Sequence, residues 1–379
     1  MTVAPLDIYR VLSQDVTGQD EALRYVSVAI FKHVSEKPCG NIILIGNSGT
    51  GKTSIMRAIE GMFSTYPVFK KHRAVVRMNA NSLANEEGRV ITGRQLFRTL
   101  QDRAIQILGK NATSEQIKSL MEYSTVCIDE IDKIATKVGG KPNPVGVNVQ
   151  QSLLTLMEDE SIIFDTQLLV DNQYKPVQLE IDTTNMLFVC AGAFEELYDQ
   201  VYARVTDEGK HDRLSQAVPD LDGGVDFKPV FRLFDHLTQE DMFHYGMLPQ
   251  FLSRFDTTLV LNDLTPRDLE KIFSGSRDSL FQKSRQFFSN FHIDLKLTER
   301  AREIIGFQAA QQSRVGARAL KDVYSRVIQP YEFDPFRTDA VKKVGGNRFE
   351  LILTEEIVRK RLGLDPVGSP GRSDDELVQ

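Results

Sequence analysis

One eight-residue segment constrains this chain more than any other: Gly46-Asn47-Ser48-Gly49-Thr50-Gly51-Lys52-Thr53. It matches Gly-x-x-x-x-Gly-Lys-Thr, follows the apolar run Asn41-Ile42-Ile43-Leu44-Ile45, and opens a helix predicted from Ser54 to Phe63. A short, continuously apolar, β-branched run reads as a strand buried on both faces. Glycines let the loop wrap its backbone N–H groups around phosphates, and the helix N-terminus adds the positive end of its dipole. Lys52 supplies a point charge to the β and γ oxygens, and Thr53 places a hydroxyl on Mg²⁺. The residues expected to hold a triphosphate are therefore Asn47, Ser48, Gly49, Thr50, Gly51, Lys52, Thr53 and Ser54.

A second segment, Val126-Cys127-Ile128-Asp129-Glu130, is an apolar strand ending in two carboxylates. Alone it reads equally well as a strand running into an acidic turn, since Asp132 follows. It lies about 75 residues beyond a phosphate loop, however, and there the pair acquires chemistry. Asp129 would hold Mg²⁺ through water, and Glu130 would polarise the water that attacks the γ-phosphate. A second acid beside the metal ligand favours a hydrolysing NTPase over a kinase or a mere binder.

Further strands are predicted at Ala74–Met78, Thr125–Ile128, Met186–Cys190 and Thr258–Leu261, with helical stretches between them and an amphipathic opening over Gln19–Phe31. That alternation implies an α/β fold with a mainly parallel sheet. Leu264-Thr265-Pro266-Arg267-Asp268 starts a helix, with Thr265 as N-cap and Pro266 in the first turn. From there the pattern is mostly helical to Tyr331, with one late strand at Phe349–Leu353. Three segments are expected: an α/β nucleotide-binding domain over 1–262, a small, mostly helical domain over 263–363, and a disordered acidic tail over 364–379. Residues 138–147 and 204–228 read as loops. Phe281, Phe287, Phe288 and Phe291 are expected to form a buried helix face.

Composition narrows the partners. The chain has 46 basic and 52 acidic residues, a net charge of −6, which disfavours a dedicated nucleic-acid binder while leaving room for a local basic groove. At 41% hydrophobic and 26% charged it is an ordinary soluble-globular chain rather than a disordered or fibrous one. No apolar run approaches the length of a membrane span, and Met1-Thr2-Val3-Ala4-Pro5 opens no secretory signal, so a cytoplasmic protein is expected. Cys39, Cys127 and Cys190 are odd in number and widely spaced, which suits a reducing compartment; no zinc site is expected.

Several other segments carry a family likeness: Asp15-Val16-Thr17-Gly18-Gln19-Asp20-Glu21-Ala22, Ile128-Asp129-Glu130-Ile131-Asp132-Lys133-Ile134, the helix Val149–Glu158, the strand Leu187–Phe194, Gly246–Phe255 with Arg254, and Val315-Gly316-Ala317-Arg318-Ala319-Leu320. In these, in their order and spacing, the chain resembles the AAA+ ATPases and specifically the ClpX/HslU branch of protein unfoldases. The resemblance spans roughly residues 12–362. It implies an AAA+ phosphate-loop NTPase whose parallel sheet is sandwiched by helices and followed by a small helical domain. It further implies ATP and Mg²⁺ as cofactors, adenine contacts from Val16 and Thr17, and a homo-oligomeric ring, hexameric in the family. By the same likeness Arg254 matches the arginine finger that reaches a neighbour's γ-phosphate, and Arg318 matches sensor 2, contacting nucleotide from the small domain. Lys52, Glu130, Arg254 and Arg318 are then the catalytic set.

Departures from the family pattern narrow the expected function. Arg89 and Val90 stand in the pore loop where ClpX proteins carry a Tyr within Gly-Tyr-Val-Gly. An aromatic grips any extended polypeptide, whereas Arg prefers acidic groups or phosphate. The second pore loop, near Val138–Val149, lacks the family's basic residue. A polar sensor 1 residue is not identifiable around Gly192 and Ala193. Residues 195–245 contain no Ile-Gly-Phe peptidase-docking tripeptide; Ile305-Gly306-Phe307 spells one, but within a predicted helix where it reads as core. The family's zinc-binding domain is also not expected, because the first family motif begins within about fifteen residues of Met1. The expected activity is ATP hydrolysis driving the remodelling of a specific protein client, without a membrane or a docked peptidase. The alternatives are a nucleotide-gated assembly scaffold with slow turnover and a nucleic-acid-stimulated motor.

Overall fold

In the computed structural model the apolar runs pair as one five-stranded, fully parallel sheet. The structure describes residues 3–38, 40–84, 92–158, 160–170, 173–207, 215–219, 225–229, 231–275, 279–312, 315–336, 338 and 340–364. The chain divides into two compact units, Met1–Val218 with Phe227–Asn262, and Asp263–Gln379 with Pro219–Asp226. Cys39, Arg89, Val90 and the expected tail from residue 365 onward lie outside the described residues.

In the first unit, α1 (Pro5–Asp15) and α2 (Asp20–Val34) precede β1 (Asn41–Ile45), which leads through the phosphate loop into α3 (Lys52–Thr65). Then come β2 (Val75–Asn79), α4 (Thr92–Leu108), α5 (Ser114–Glu122) and β3 (Thr125–Asp129). A small clip of β4 (Lys137–Val138) and β5 (Lys141–Pro142) precedes α6 (Pro144–Leu156), and β6 (Ser161–Val170) pairs antiparallel with β7 (Gln173–Asp182). β8 (Leu187–Gly192), α7 (Glu195–Asp207), β9 (Ser215–Pro219), β10 (Val225–Pro229), α8 (Leu233–His236), α9 (Gln239–Tyr245), α10 (Pro249–Leu252) and β11 (Phe255–Val260) continue the chain.

The sheet order is β11-β1-β8-β3-β2. Alternate side chains of each strand enter opposite cores. Ile43, Ile45, Val126, Ile128, Phe188 and Cys190 pack with α4, α5 and α6 residues such as Phe97, Leu100, Met121 and Leu153. Ile42, Leu44, Cys127, Leu187, Val189 and Ala191 pack instead with Leu12, Leu23, Ile30, Ile55, Ile59 and Phe63 of α1–α3. Helices cover both faces, which is why these strands carry apolar runs without alternation. The fully buried Cys127 and Cys190 pack as small hydrophobes; burial pushes the Cys127 thiol up to about 12 and the Cys190 thiol higher still, so neither is a nucleophile.

The second unit has its own core of Leu269, Phe273, Ile304, Ile305, Leu320, Val327, Leu351 and Val358. It contains α11 (Pro266–Ser274), α12 (Leu280–Ser289), β12 (Ile293–Leu297), α13 (Glu299–Ala310), α14 (Arg318–Phe333), β13 (Val341–Gly345), β14 (Arg348–Leu353) and α15 (Glu355–Leu362). Thr265 caps α11 as its sequence predicts, accepting the Asp268 N–H at 3.2 Å while the Asp268 carboxylate accepts the Thr265 N–H at 3.0 Å. The expected strand at 349–353 is central in a three-stranded sheet, β12-β14-β13. Ile305-Gly306-Phe307 lies within α13, with Ile305 fully buried.

Some expectations fail for local reasons. The segment 204–228 is not all loop: it holds the end of α7, strand β9 and part of β10. Within 138–147, Lys141–Pro142 pairs back onto Lys137–Val138, and α6 already begins at Pro144, with Asn143 accepting the Gly146 N–H as its cap. The four-phenylalanine face is split. Phe281 and Phe288 are buried, but Phe287 and Phe291 are each 37% exposed, and Phe291 lies beyond the end of α12. The α12 moment points one phenylalanine pair inward and leaves the neighbouring pair at the rim. Among the described residues no helix is long and apolar enough to cross a membrane.

Behind the sheet, the buried His33 and His72 rings meet edge to face at 4.8 Å. Burial pushes His33 down to about 3 and His72 to about 4, and in His72 the Lys71 charge adds to the effect. Both imidazoles are therefore neutral when folded, while an unfolded histidine takes up a proton below about 6.5. As pH falls from 6.5 toward 4 the unfolded chain binds more protons, so stability drops, by up to about 2.7 kcal/mol per pH unit in the two-proton limit. Denaturant midpoints measured at pH 7 and pH 5 should show this fall, and His72→Gln should make it smaller.

Candidate nucleotide-binding site

The phosphate loop is shaped by close approach and by left-handed backbone. Ile45 is in register with Gly192 of β8 and Val260 of β11, so the loop leaves the sheet from between two strands. A Cβ on Gly46 would lie 2.9 Å from Thr50 Oγ1 and 3.0 Å from Leu261 Cβ. Gly51 has φ +109° and caps α3 with no side-chain acceptor, so the first N–H groups of α3 point into the loop rather than to a capping residue. Thr50 is fully buried and its hydroxyl donates to the Asn47 carbonyl at 2.9 Å. Lys52 is only 9% exposed, and its Nζ donates to the carbonyls of Gly46 at 2.5 Å and Asn47 at 2.8 Å. Ser48 is half-buried and Ser54 exposed.

The acidic pair lies one strand away from the loop. Thr53 Oγ1 donates to Asp129 Oδ2 at 2.8 Å, joining the start of α3 to the end of β3. Asp129 Oδ1 accepts the Glu130 N–H at 2.9 Å. Glu130 itself sits at φ +57°, an unfavourable left-handed conformation for a non-glycine residue, and its Oε2 accepts from Asn79 Nδ2 at 2.7 Å. Asn79 ends β2 and is in register with Asp129, a placement that sequence reasoning missed because it follows only from strand order.

The end of β8 is crowded at Gly192. A Cβ there would lie 2.5 Å from the Phe194 ring and 2.7 Å from Asp132 Oδ1, so a side chain would have to displace one of these groups. The buried Asp132 carboxylate occupies that space instead, accepting the Ala193 N–H at 3.1 Å with the Lys133 ammonium 3.4 Å away. It also acts on Tyr245, whose hydroxyl is pushed above its ordinary range first by burial and then by the Asp132 charge.

Val16 is buried at the end of α1, within van der Waals reach of a Cβ on Gly51, and Thr17 follows it half-buried. The structure therefore gathers Val16, Lys52, Thr53, Asp129 and Glu130 around one loop. Arg254 is not among them. It is exposed, ion-paired to Glu158 at 2.7 Å, and its carbonyl accepts from Asn41 Nδ2 at 3.0 Å, at the opposite end of β1 from Gly46. Five strand residues at about 3.3 Å each separate the two ends by about 16 Å. Arg318 is the exposed first residue of α14 in the second unit.

A glycine-shaped phosphate loop and a carboxylate pair at the C-terminal ends of a parallel sheet define a phosphate-loop nucleotide hydrolase. Residues 37–258 match the AAA domain (Cdc48 subfamily), and the chain belongs to that family and is an ATPase. It is similar to the protein named ATP-dependent Clp protease ATP-binding subunit ClpX from several bacteria. The identity is 28% to that of Treponema denticola, over 93% of this chain and 81% of the relative. It is 26% to that of Bacteroides thetaiotaomicron, over 87% of this chain and 77% of the relative. It is also 26% to that of Azotobacter vinelandii, over 87% and 74%. The likeness to ClpX implied by the motifs is thus found across most of the chain.

The left-handed φ of Gly51 is a strong constraint, because a Cβ there would meet nothing closer than 4.0 Å and only backbone strain opposes it. Gly51→Ala should therefore cost about 1–2 kcal/mol of stability, read as a lower denaturant midpoint, and should weaken ATP binding as well.

Proposed function

We propose that this ATPase works as a homo-oligomeric ring motor, hexameric and cytoplasmic, that couples Mg-ATP hydrolysis to the remodelling of a specific protein client. The observation that carries the ring is Arg254: exposed, and at the far end of β1 from the phosphate loop of its own chain. A guanidinium suits developing phosphoryl charge, and one so far from its own loop is better suited to a neighbour's site. Glu158 holds it in the meantime.

At the site, Lys52 leaves its loop carbonyls to neutralise the β and γ oxygens. The Thr53 hydroxyl and the Asp129 carboxylate, 2.8 Å apart, form an all-oxygen donor set that fits Mg²⁺, Asp129 acting through water. Mg²⁺ would neutralise charge on the phosphates. Glu130 polarises the attacking water, and Asn79 sets where its carboxylate rests. Val16, beside Gly51, and Thr17 are read as the adenine contacts. Residues 1–262 act as the nucleotide-binding domain and residues 263–363 as a lid that contributes Arg318. Arg89 and Val90 are read as the client-contacting pore residues.

The relatives' names join them to a protease; for this chain we favour work without a peptidase, because Ile305-Gly306-Phe307 belongs to a helix with Ile305 in the core. A second reading, a nucleotide-gated scaffold with slow turnover, draws on the end of β8, where the Asp132 and Phe194 side chains crowd Gly192.

Glu130→Gln should retain ATP binding while losing turnover, by roughly a hundredfold or more. Arg254→Ala should also lose turnover while binding nucleotide normally. Mixing the two variants should restore part of the ATPase rate, because an intact Glu130 then meets an intact Arg254 across an interface. Full activity in either variant alone would sink the assignment.

A further inference from the structure

Gln19 is the N-cap of α2 and is 1% exposed. The hydrophobic residues around it have a reading at the adenine; Gln19 has none, yet it makes the longest-range polar connection at the site. Its Nε2 donates to the Thr50 carbonyl in the phosphate loop at 2.9 Å and to the Asn262 carbonyl at 2.8 Å. Its Oε1 accepts the Asn262 N–H at 3.1 Å. Both amide protons are thereby committed, one to the loop and one to the end of the first unit.

The grip on Asn262 is two-pronged. Gln19 holds both the N–H and the carbonyl of that residue, so the backbone there cannot turn without breaking two part-buried hydrogen bonds. One residue earlier, the Leu261 N–H donates to the Ile45 carbonyl at 2.7 Å, on the strand that launches the loop. Asp263 follows directly, and with it the second unit begins. The Thr50 carbonyl has little freedom of its own, since the Thr50 N–H and hydroxyl both donate to the Asn47 carbonyl, at 3.4 and 2.9 Å. A phosphate that reorients the Asn47–Gly51 backbone must either carry the Gln19 amide with it or break its bond to Thr50.

We infer that Gln19 is a positioning residue that transmits the state of the phosphate loop, through Thr50, to the backbone of Asn262 at the exit toward the second unit. This inference rests on the nucleotide-site reading above. It makes Gln19 matter for turnover more than for binding, because binding needs the loop whereas a productive cycle also needs the loop and the exit to move together.

The test uses the full chain with ATP and with ADP. In the wild type, hydrogen exchange at the peptide covering Asn262 should change with nucleotide. Gln19→Met keeps the approximate size and adds no charge while removing both donated bonds and the acceptor. It should abolish that nucleotide dependence and lower kcat about tenfold or more, while KM and the affinity for a fluorescent ATP analogue stay within about threefold. Gln19→Leu, a smaller apolar replacement, should reproduce the same split if Gln19→Met folds poorly. Turnover and nucleotide-dependent exchange both retained in these variants would overturn the inference, as would binding and turnover lost in equal measure, the mark of a plain structural support. Lys52→Ala serves as the control. Undiminished ATP binding and turnover in that variant would overturn the nucleotide-site reading itself, a failure distinguishable from any result at Gln19.

Discussion

The burial of one ammonium group organises this site. Lys52 is nearly enclosed, and a charge taken out of water is costly unless polar atoms surround it. The carbonyls of Gly46 and Asn47 do this by curling back over the lysine, and only a backbone free of Cβ atoms at Gly46 and relaxed at Gly51 can curl so tightly. The curl in turn requires a fixed base, which β1 provides by being hydrogen-bonded on both sides and packed into separate cores above and below. Carbonyl dipoles are weaker partners for an ammonium than a full opposite charge. A phosphate held in the loop would bring a full opposite charge to Lys52.

Much of this was legible because it is local. The strand before the loop, the glycine pattern and the lysine are contiguous, and so is the apolar run that ends in Asp129 and Glu130. The Thr265 cap and its Asp268 partner are likewise three residues apart. What sequence pattern could not reveal depends on which strands become neighbours. Asn79 reaches Glu130 because β2 pairs with β3, and Gln19 reaches Asn262 across most of the first unit. The β6–β7 hairpin is a different kind of miss. Its runs Ser161–Val170 and Gln173–Asp182 are separated by only Asp171 and Asn172, residues that suit a tight turn, and Phe164, Leu168, Leu179 and Ile181 recur at strand spacing on the buried side. The signal was present, diluted by the exposed Ile163 and the polar residues between.

Gly192 shows a glycine set by its neighbours. The Asp132 carboxylate and the Phe194 ring crowd the end of β8 from two sides, so any side chain at the position would have to displace one of them. A buried carboxylate then takes up the space, anchored by the Ala193 N–H. Polar chemistry is still present between β3 and β8, but it is contributed from the segment after Glu130 rather than from β8.

Glu130 and Asn79 complete the physical picture. Holding a non-glycine residue in the left-handed region costs of order 1–3 kcal/mol, and the surrounding structure must oppose its relaxation. Here the Glu130 N–H is tied to the Asp129 carboxylate and its side chain to Asn79, so the two ends of the residue are restrained by different strands. A carboxylate that accepts a hydrogen bond from a neutral amide is weakly held compared with one in an ion pair. It can exchange that amide for a water without a large penalty. The same asparagine that restrains the Glu130 carboxylate thus leaves it exchangeable with water, while the backbone below it stays fixed.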